Sequence, residues 1–285
     1  MKMNDQCLPC LMNQIVKVAS ICQVDHKQDL YQKVFHYLST TDLNCTNPEI
    51  IGGTFRLLKE HIANDDPYHD VRYQYNTLLL KHLDEFEKRI NKASDPFMEV
   101  LKYAALGNII DFHPMNNQYK NDVMQWFDKV DEMCFRIDDS LELKKDILNA
   151  QTILYIGDNC GEICIDKLFL KKIKIMNPSV HIFFAVRGFP VVNDSIVEDA
   201  YFVGIDQYAT IISNGDDSLG TVLLRTSQEF QDVYYQADVI ICKGSANFES
   251  LSEEDGNLYF IMMVKCAVMS QYVGVQEGTM ICMKK

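Results

Sequence analysis

The sequence predicts an α/β protein in which a Rossmann-like, mostly parallel sheet is covered by helices and a helical N-terminal region packs on it. Most of the first half places apolar residues at helical spacing. The second half alternates short apolar runs with helical patterns, an order typical of parallel sheets. Hydrophobic residues make up 47% of the 285 residues, which is ample for a packed core. We therefore place a boundary near residue 150, between a helical region (1–150) and an α/β core (151–285).

Helical spacing recurs along the first half, at Leu11, Ile15, Val18 and Cys22, at Leu30, Val34, Tyr37 and Leu38, and at Leu78, Leu79, Leu83, Phe86 and Ile90. Pro48 and Pro96 stand where first-turn prolines begin helices. Further helices are predicted over 121–134 and 141–148. We interpret the segment from Arg72 to Tyr75 as an exposed helix face without a chemical role.

Short runs of β-forming residues follow residue 150, at 152–156, 180–186, 201–203, 210–213 and 239–242, with two more at 258–264 and 280–283. Helical patterns lie between them at 163–176 and 220–236. The chain has no internal repeat, low-complexity tract or flexible linker, so we expect the two parts to pack tightly.

Composition and charge exclude several classes of function. The formal net charge of −13 disfavours nonspecific binding to nucleic acid, which needs a basic surface. No apolar run approaches the roughly 18 residues that cross a bilayer, and the polar N-terminus lacks a signal-peptide core. Ten cysteines without an export signal indicate reduced thiols. We expect a cytoplasmic protein with neither nucleic-acid nor membrane partners.

The segment 157–162, Gly-Asp-Asn-Cys-Gly-Glu, follows an apolar strand and precedes a helix. Ligands of open α/β sheets bind outside the carboxyl ends of the strands, where Asp158, Asn159 and Glu162 would lie. Their oxygens suit a hard divalent cation. Asn159 and Glu162 also fit a capping box at the start of the following helix, so this segment alone leaves three interpretations open: a helix cap, a metal site and a nucleotide-binding turn.

Four more polar clusters fall near the ends of predicted elements, at 107–111, 187–194, 213–218 and 243–249. Each is compatible with an ordinary turn or cap. Together they indicate a site, because the carboxyl ends of parallel strands open onto one edge of a sheet. Asp158, Asn159 and Asp194 could then hold one divalent ion with water. Lys243 would be a point charge for a phosphate, assisted by N–H groups of the loop 244–247.

The order of these motifs resembles the damage-control phosphatase family over nearly the full length, from Cys7 to Gly278. The matching segments are Cys7-Leu8-Pro9-Cys10, Ala105 to Phe112, Gly157 to Glu162, Asn193-Asp194, Ser213-Asn214-Gly215 and Lys243-Gly244-x-x-Asn247-Phe248-Glu249. The N-terminal Cys-x-x-Cys resembles the stand-alone prokaryotic branch of the family. The resemblance implies a helical region on an α/β core and metal-dependent hydrolysis of phosphate monoesters.

The resemblance also implies roles for particular residues. Asp158, Asn159 and Asp194 match metal ligands, and Lys243 and Asn247 match the phosphate pocket, to which we add Asn108, Asp111, Glu162 and Asn214. Asp158, Asp194 and Lys243 are the predicted catalytic residues, with Mg²⁺, Mn²⁺, Co²⁺ or Ni²⁺ as the cofactor. The implied substrates are small phosphorylated metabolites, such as sugar phosphates or phosphopantetheine-type compounds.

Several alternatives stay open at this point. Water is favoured as the nucleophile over Asp158 or Asp194, which would form an aspartyl-phosphate. A strand running into Gly157 and Gly161 also fits an S-adenosylmethionine-dependent methyltransferase, and a noncatalytic metal- or phosphate-binding module is the third hypothesis. Cys7 and Cys10 are interpreted as packing or pocket-lining residues, ahead of a redox pair or zinc ligands.

Overall fold

The computed structural model describes residues 1–108 and 124–285. Six helices form its N-terminal part, and they are α1 (Cys7–Ile21), α2 (Lys27–Thr40), α3 (Asn47–Ile62), α4 (His69–Leu80), α5 (Leu83–Lys92) and α6 (Pro96–Gly107). The helix predicted over 121–134 lies partly outside the described residues. Within them, 124–127 are helical and Val130–Glu132 form a 3₁₀ helix.

Local sequence signals set where several of these helices begin. Thr46 caps α3 by accepting a hydrogen bond from the Glu49 N–H, and the Glu49 carboxylate accepts the Thr46 N–H at 2.8 Å. Asp95 caps α6 by accepting bonds from two backbone N–H groups, those of Phe97 and Met98. Each cap satisfies backbone donors that a helix start otherwise leaves unpaired.

A seven-stranded sheet follows in the order β1-β7-β6-β5-β2-β3-β4. Its strands are β1 (Phe135–Asp138), β2 (Thr152–Ile156), β3 (His181–Val186), β4 (Thr210–Ser213), β5 (Val239–Lys243), β6 (Leu258–Met263) and β7 (Met280–Lys284). All neighbouring strands are parallel except β6 and β7. The mostly parallel α/β fold predicted from the sequence is confirmed.

Six helices alternate with these strands, and they are α7 (Ser140–Asn149), α8 (Glu162–Met176), α9 (Val197–Val203), α10 (Gln228–Gln236), α11 (Gly244–Leu251) and α12 (Ala267–Val273). Together with the N-terminal helices they cover both faces of the sheet. On β2, Ile153 and Tyr155 belong to one buried cluster, whereas Leu154 and Ile156 belong to another. This alternation is the period of two expected for a strand buried on both faces.

Three predictions of secondary structure were wrong. Residues 201–203, predicted as a strand, form the end of α9, which Gly204 terminates with a left-handed backbone. The helix predicted over 220–236 begins only at Gln228, because the Ser227 hydroxyl caps it there. The helical spacing from Leu78 to Ile90, which predicts one longer helix, belongs to two helices, α4 and α5. Strand β1 was not predicted, and it lies in the region that was expected to be helical.

A third buried cluster joins the N-terminal helices to the edge of the sheet. It contains apolar side chains of α1, α2 and α3 together with Val191 and Val192, which follow β3. The helical region therefore packs directly on a loop that leaves the carboxyl end of a strand. None of the helices in residues 1–108 and 124–285 is both long and apolar enough to cross a membrane.

Candidate functional site

Three neighbouring strands deliver the site residues to one edge of the sheet. Asp158 lies two residues after the end of β2, Arg187 directly follows β3, and Lys243 is the last residue of β5. A backbone bridge between Asn159 and Asp194 ties the first two loops together. Most of the residues predicted from scattered motifs are therefore neighbours in the fold, as expected for the carboxyl edge of a parallel sheet.

Two amides bridge the carboxylates of Asp158 and Glu162. Asn159 Nδ2 donates to Asp158 Oδ2 at 2.7 Å and to Glu162 Oε2 at 3.1 Å. Asn108 Nδ2, from the end of α6, donates to the same two oxygens at 3.1 Å each. Asn108 Oδ1 is buried without a hydrogen-bond partner in the described part of the chain. These contacts hold two carboxylate oxygens together and leave one amide oxygen available.

Arg187 links the second carboxylate, Asp194, to the first. Its Nε donates to Asp194 Oδ2 at 2.6 Å, its Nη2 to Asp158 Oδ1 at 3.3 Å and its Nη1 to Thr221 Oγ1 at 3.2 Å. The side chain is 1% exposed. No role was predicted for Arg187, although an arginine directly after a buried strand is a usable signal, because a buried guanidinium needs carboxylate partners.

Lys243 is fully buried, and three acceptors surround its ammonium group. It donates to Ala104 O at 2.8 Å, Glu162 Oε1 at 2.8 Å and Asp166 Oδ1 at 2.7 Å. Asp166 Oδ1 also accepts the Tyr155 hydroxyl at 2.6 Å. An ammonium has three hydrogens, so in this arrangement Lys243 has none left to donate to a phosphate.

The remaining predicted substrate residues have different surroundings. Asn247 Nδ2 donates to Gly157 O and Lys243 O, at 3.2 and 2.6 Å, and its Oδ1 accepts from Thr221 Oγ1 at 2.9 Å. Asn214 Oδ1 accepts the N–H groups of Gly188 and Asp216, so this side chain shapes the loops after β3 and β4. Asp111 lies outside the described residues.

The carboxyl groups carry the signs of mutual repulsion in a buried site. Burial, reinforced by the charges of Asp194 and Glu162, raises the pKa of Asp158 well above its usual value. Burial also raises the pKa of Asp194, against the opposing effect of Arg187. Glu162 is the exception: burial opposes its charge, yet Lys243 lowers its pKa.

The charge balance fits a bound divalent cation. Four buried carboxyls (Asp158, Glu162, Asp166 and Asp194) face two buried cations, Arg187 and Lys243, which leaves two formal negative charges. No three carboxylate, imidazole or thiol groups of residues 1–108 and 124–285 converge as a metal site. The groups that could hold a hard ion such as Mg²⁺ are the carboxylates of Asp158 and Asp194 and the amide oxygen of Asn159 or Asn108, with water completing the shell.

Gly244 brings the chain close to this set of ligands. Its backbone is left-handed, with φ of +78°, and a Cβ atom built on it would meet Asp158 Oδ2 at 1.9 Å. Only glycine fits here, because any side chain would displace the Asp158 carboxylate. The start of α11 thereby forms one wall of the site.

Comparisons with known proteins show the family of this chain. Residues 3–281 match the sequence profile of the damage-control phosphatase ARMT1-like domain. A damage-control phosphatase from Pyrococcus horikoshii is 31% identical, covering 100% of this chain and 98% of that protein. One from Archaeoglobus fulgidus is 27% identical, covering 99% and 98%. The crystal structure of a DUF89 family protein from Pyrococcus horikoshii superposes with a TM-score of 0.89 at 28% identity, covering 100% of this chain and 99% of that one. The chain belongs to the damage-control phosphatase ARMT1-like domain family.

Proposed function

We propose that this protein is a divalent-metal-dependent phosphatase that hydrolyses phosphate monoesters of small metabolites. The observation that carries the proposal is the buried surplus of negative charge around Asp158, Asp194 and Glu162 at the carboxyl edge of the sheet. Buried carboxylates that repel one another are expensive unless a cation joins them. Membership of the family and the names of its relatives support phosphate ester hydrolysis as the reaction.

Asp158, Asn159 and Asp194 would hold the metal ion, with Mg²⁺, Mn²⁺, Co²⁺ or Ni²⁺ as candidates. When bound, the ion supplies charge for the phosphoryl oxygens and lowers the pKa of a coordinated water. Arg187 orients the two aspartates through its bonds to Asp158 Oδ1 and Asp194 Oδ2. We infer that water, and not an aspartate, attacks the phosphorus atom. Gly244 and Asn108 confine Asp158 Oδ2, and Arg187 donates a hydrogen bond to Asp194 Oδ2, so neither oxygen is free to attack.

Lys243 takes a supporting role in this proposal. Its single positive charge offsets one of the two negative charges of Glu162 and Asp166 from inside the protein, so these carboxylates add less repulsion to the metal site. The loop from Gly244 to Asn247 lies beside Asp158, and its N–H groups at the start of α11 suit phosphoryl oxygens. Direct contact between Lys243 and phosphate would require the loss of one of three hydrogen bonds.

The proposed substrates are small phosphorylated metabolites in the cytoplasm, sugar phosphates or phosphopantetheine-type compounds among them. A methyltransferase is disfavoured because the turn after β2 is filled: a Cβ atom on Gly157 would meet the Phe184 ring at 2.7 Å. One on Gly161 would meet Tyr75 at 3.3 Å. Both glycines are thus accounted for by packing against side chains of this chain, so they do not by themselves indicate a nucleotide cofactor.

The test is hydrolysis of a generic phosphate monoester by protein stripped with EDTA and then supplied with Mg²⁺, Mn²⁺, Co²⁺ or Ni²⁺ singly. We expect turnover to return with metal, and Asp158→Ala to lose it by a factor of about 10³ or more. Asp128→Ala is the matched control, since Asp128 is exposed and pairs with Arg89 outside the site. Metal-independent turnover, or equal turnover in both variants, contradicts the proposal.

A further inference from the structure

The hydroxyl group of Thr221 lies between the charged residues of the site and the helix α11. Thr221 belongs to the loop 214–222, which follows β4, and its side chain is fully buried. Its Oγ1 accepts a hydrogen bond from Arg187 Nη1 at 3.2 Å and donates one to Asn247 Oδ1 at 2.9 Å. Thr221 thus connects the arginine that follows β3 with an amide of α11.

The chemistry of the two partners fixes the direction of these hydrogen bonds. A guanidinium group only donates, so Thr221 Oγ1 must accept from Arg187. The single hydroxyl hydrogen is then available for Asn247 Oδ1, and this bond sets the orientation of the Asn247 amide. In that orientation Asn247 Nδ2 donates to Gly157 O at 3.2 Å and to Lys243 O at 2.6 Å. A valine side chain of similar shape could neither accept nor donate, so it would break the connection.

This connection completes a ring of contacts around the proposed metal ligands. Arg187 Nε donates to Asp194 Oδ2 at 2.6 Å, and Arg187 Nη2 donates to Asp158 Oδ1 at 3.3 Å. Asn247 Nδ2 holds the main chain directly before Asp158. The bond to Thr221 restrains the third guanidinium nitrogen, so the planar group has little freedom to turn away from the two aspartates. Thr221 therefore acts on both aspartates through Arg187.

The backbone that carries Thr221 is held against two helices. Gly220 has φ of +78°, and a Cβ atom built on it would meet Ala246 O of α11 at 2.5 Å. Only glycine allows the loop to approach α11 so closely. The Leu219 N–H donates to Pro48 O at 3.3 Å, in the first turn of α3. The hydroxyl group thus extends from a fixed backbone, as expected for a group that orients its neighbours.

We propose that Thr221 is a positioning residue of this site. Its hydroxyl group orients Arg187 and Asn247, which in turn hold the side chains and the main chain of the proposed metal ligands. The inference rests on the proposed phosphatase function and extends it with a residue that the sequence predicted only as part of a helix. Loss of the hydroxyl group should therefore weaken metal binding as well as turnover.

The experiment compares wild type with Thr221→Val, Thr221→Ala, Thr221→Ser and the control Thr54→Val. Valine and alanine both remove the hydroxyl group, and alanine does so without placing a methyl group against Arg187. Thr54 is the matched control, because it is 1% exposed and its hydroxyl donates to Ile51 O at 2.8 Å within α3. Three quantities are measured: the Mn²⁺ affinity of protein stripped with EDTA, kcat for a phosphate monoester, and the free energy of unfolding in EDTA.

We expect Mn²⁺ affinity and kcat to fall about 10- to 100-fold in Thr221→Val and Thr221→Ala, as when a group that orients a metal ligand is lost. Thr221→Ser should restore most of both, because serine keeps the donor and the acceptor. Thr54→Val should leave Mn²⁺ affinity and kcat as in wild type. The free energy of unfolding shows that each variant is folded under the conditions of the binding measurement.

The separate readouts distinguish the two proposals. Metal-dependent turnover in wild type, with unchanged Mn²⁺ affinity and kcat in Thr221→Val and Thr221→Ala, overturns the role of Thr221 alone. Equal losses in Thr221→Ser and Thr221→Val also overturn it, because packing and not the hydroxyl group would then be responsible. Wild type that neither binds Mn²⁺ nor hydrolyses the ester overturns both proposals. Weaker Mn²⁺ binding in the two variants without a hydroxyl group, restored by serine, supports the inference.

Discussion

Two clusters of charged residues in this protein have similar composition, but they differ in how fully the hydrogen bonds of their carboxylates are satisfied. The edge cluster contains Asp158, Glu162, Asp166, Asp194, Arg187 and Lys243. The Arg72 cluster contains Arg72, Asp66 and Asp199, and it joins α4 to α9. Arg72 donates to both oxygens of Asp66, at 2.6 and 2.8 Å, and its Nε donates to Asp199 Oδ2 at 2.8 Å.

The Arg72 cluster satisfies its acceptors, whereas the edge cluster does not. Asn76 Nδ2 donates to the other Asp199 oxygen at 3.3 Å, so all four carboxylate oxygens of the Arg72 cluster accept a hydrogen bond. In the edge cluster Asp166 Oδ2 is buried without a partner in the described part of the chain. The pKa of Asp158 is raised there by burial and by its neighbours. Under the proposed function, this difference separates a cluster that stabilises the fold from one where a ligand would bind.

The largest expected effect lies in the Arg72 cluster. Arg72→Ala would leave Asp199 buried without its main partner, and we expect the free energy of unfolding to fall by about 3–5 kcal/mol. Arg72→Lys keeps the charge but loses the paired bonds to Asp66, so a smaller loss is expected. Chemical denaturation of each variant measures these changes. Phosphatase activity per folded molecule should remain, since Arg72 does not contact the edge cluster.

Arg89→Ala is the matched control for that measurement. Arg89 also pairs with two carboxylates, Glu85 and Asp128, but it is 39% exposed. Exposed pairs contribute only about 0–1 kcal/mol, because water and salt screen them. Equal losses of stability in Arg72→Ala and Arg89→Ala would contradict the assignment of the Arg72 cluster as a buried structural element.

The second prediction concerns the pH dependence of the edge cluster. Burial and Glu162 raise the pKa of Asp166 to about 6, against the attraction of Lys243, whereas an unfolded aspartate titrates near 3.8. Between these values the folded protein binds more protons than the unfolded chain. Its stability therefore falls as pH rises from about 4 to about 6.

Asp166→Asn should remove this part of the pH dependence. In EDTA, we expect the free energy of unfolding of the variant to rise relative to that of wild type by on the order of 2 kcal/mol between pH 4 and pH 6. Glu99→Gln is the control, because burial raises the pKa of Glu99 to about 7 in a place remote from the edge cluster. The free energy of unfolding of Glu99→Gln should continue to rise relative to that of wild type from pH 6 to pH 7. Parallel stability curves for wild type and Asp166→Asn across pH 4–6 would contradict the raised pKa of Asp166.

Much of the fold was predictable because buried parallel strands are apolar runs bounded by polar turns. The strands at 152–156 and 210–213 lie at the predicted residues, whereas in β1 the charged Arg136 and Asp138 alternate with apolar residues, so β1 gave no such run. The segment 201–203 was predicted as a strand because Tyr and Val favour strands. The capping contact of Asp199 with the Ile196 N–H instead starts a helix there.

The candidate site was predictable to a similar extent and for a related reason. The ends of strands can be recognised from the local sequence, so Asp158, Asn159, Asp194 and Lys243 could be selected. The structure brings these residues together. Partners distant along the chain could not be selected. The interpretation of the segment from Arg72 to Tyr75 as an exposed face was wrong: Arg72 is 2% and Tyr75 0% exposed, and the partner Asp199 lies 127 residues further along the chain.

The smallest expected change in stability concerns how much the repulsion within the edge cluster destabilises the folded protein when no cation is bound. Asp158→Asn removes one of the mutually repelling carboxylates and preserves the shape of the side chain. In EDTA we expect the free energy of unfolding to rise by about 0.5–2 kcal/mol, as at other sites where function opposes stability. Added Mn²⁺ should stabilise wild type and have less effect on the variant, because binding to the folded state alone raises stability.

Asn159→Asp is the matched opposite change, since it adds a carboxylate beside Asp158 and Glu162, where Asn159 Nδ2 now donates to both. It should destabilise the protein in EDTA and regain stability with Mn²⁺. A loss of stability in Asp158→Asn without metal would mean that Arg187 and the two amides already satisfy Asp158. The edge cluster would then be structural in the same sense as the Arg72 cluster, and its charge would no longer indicate a metal ion.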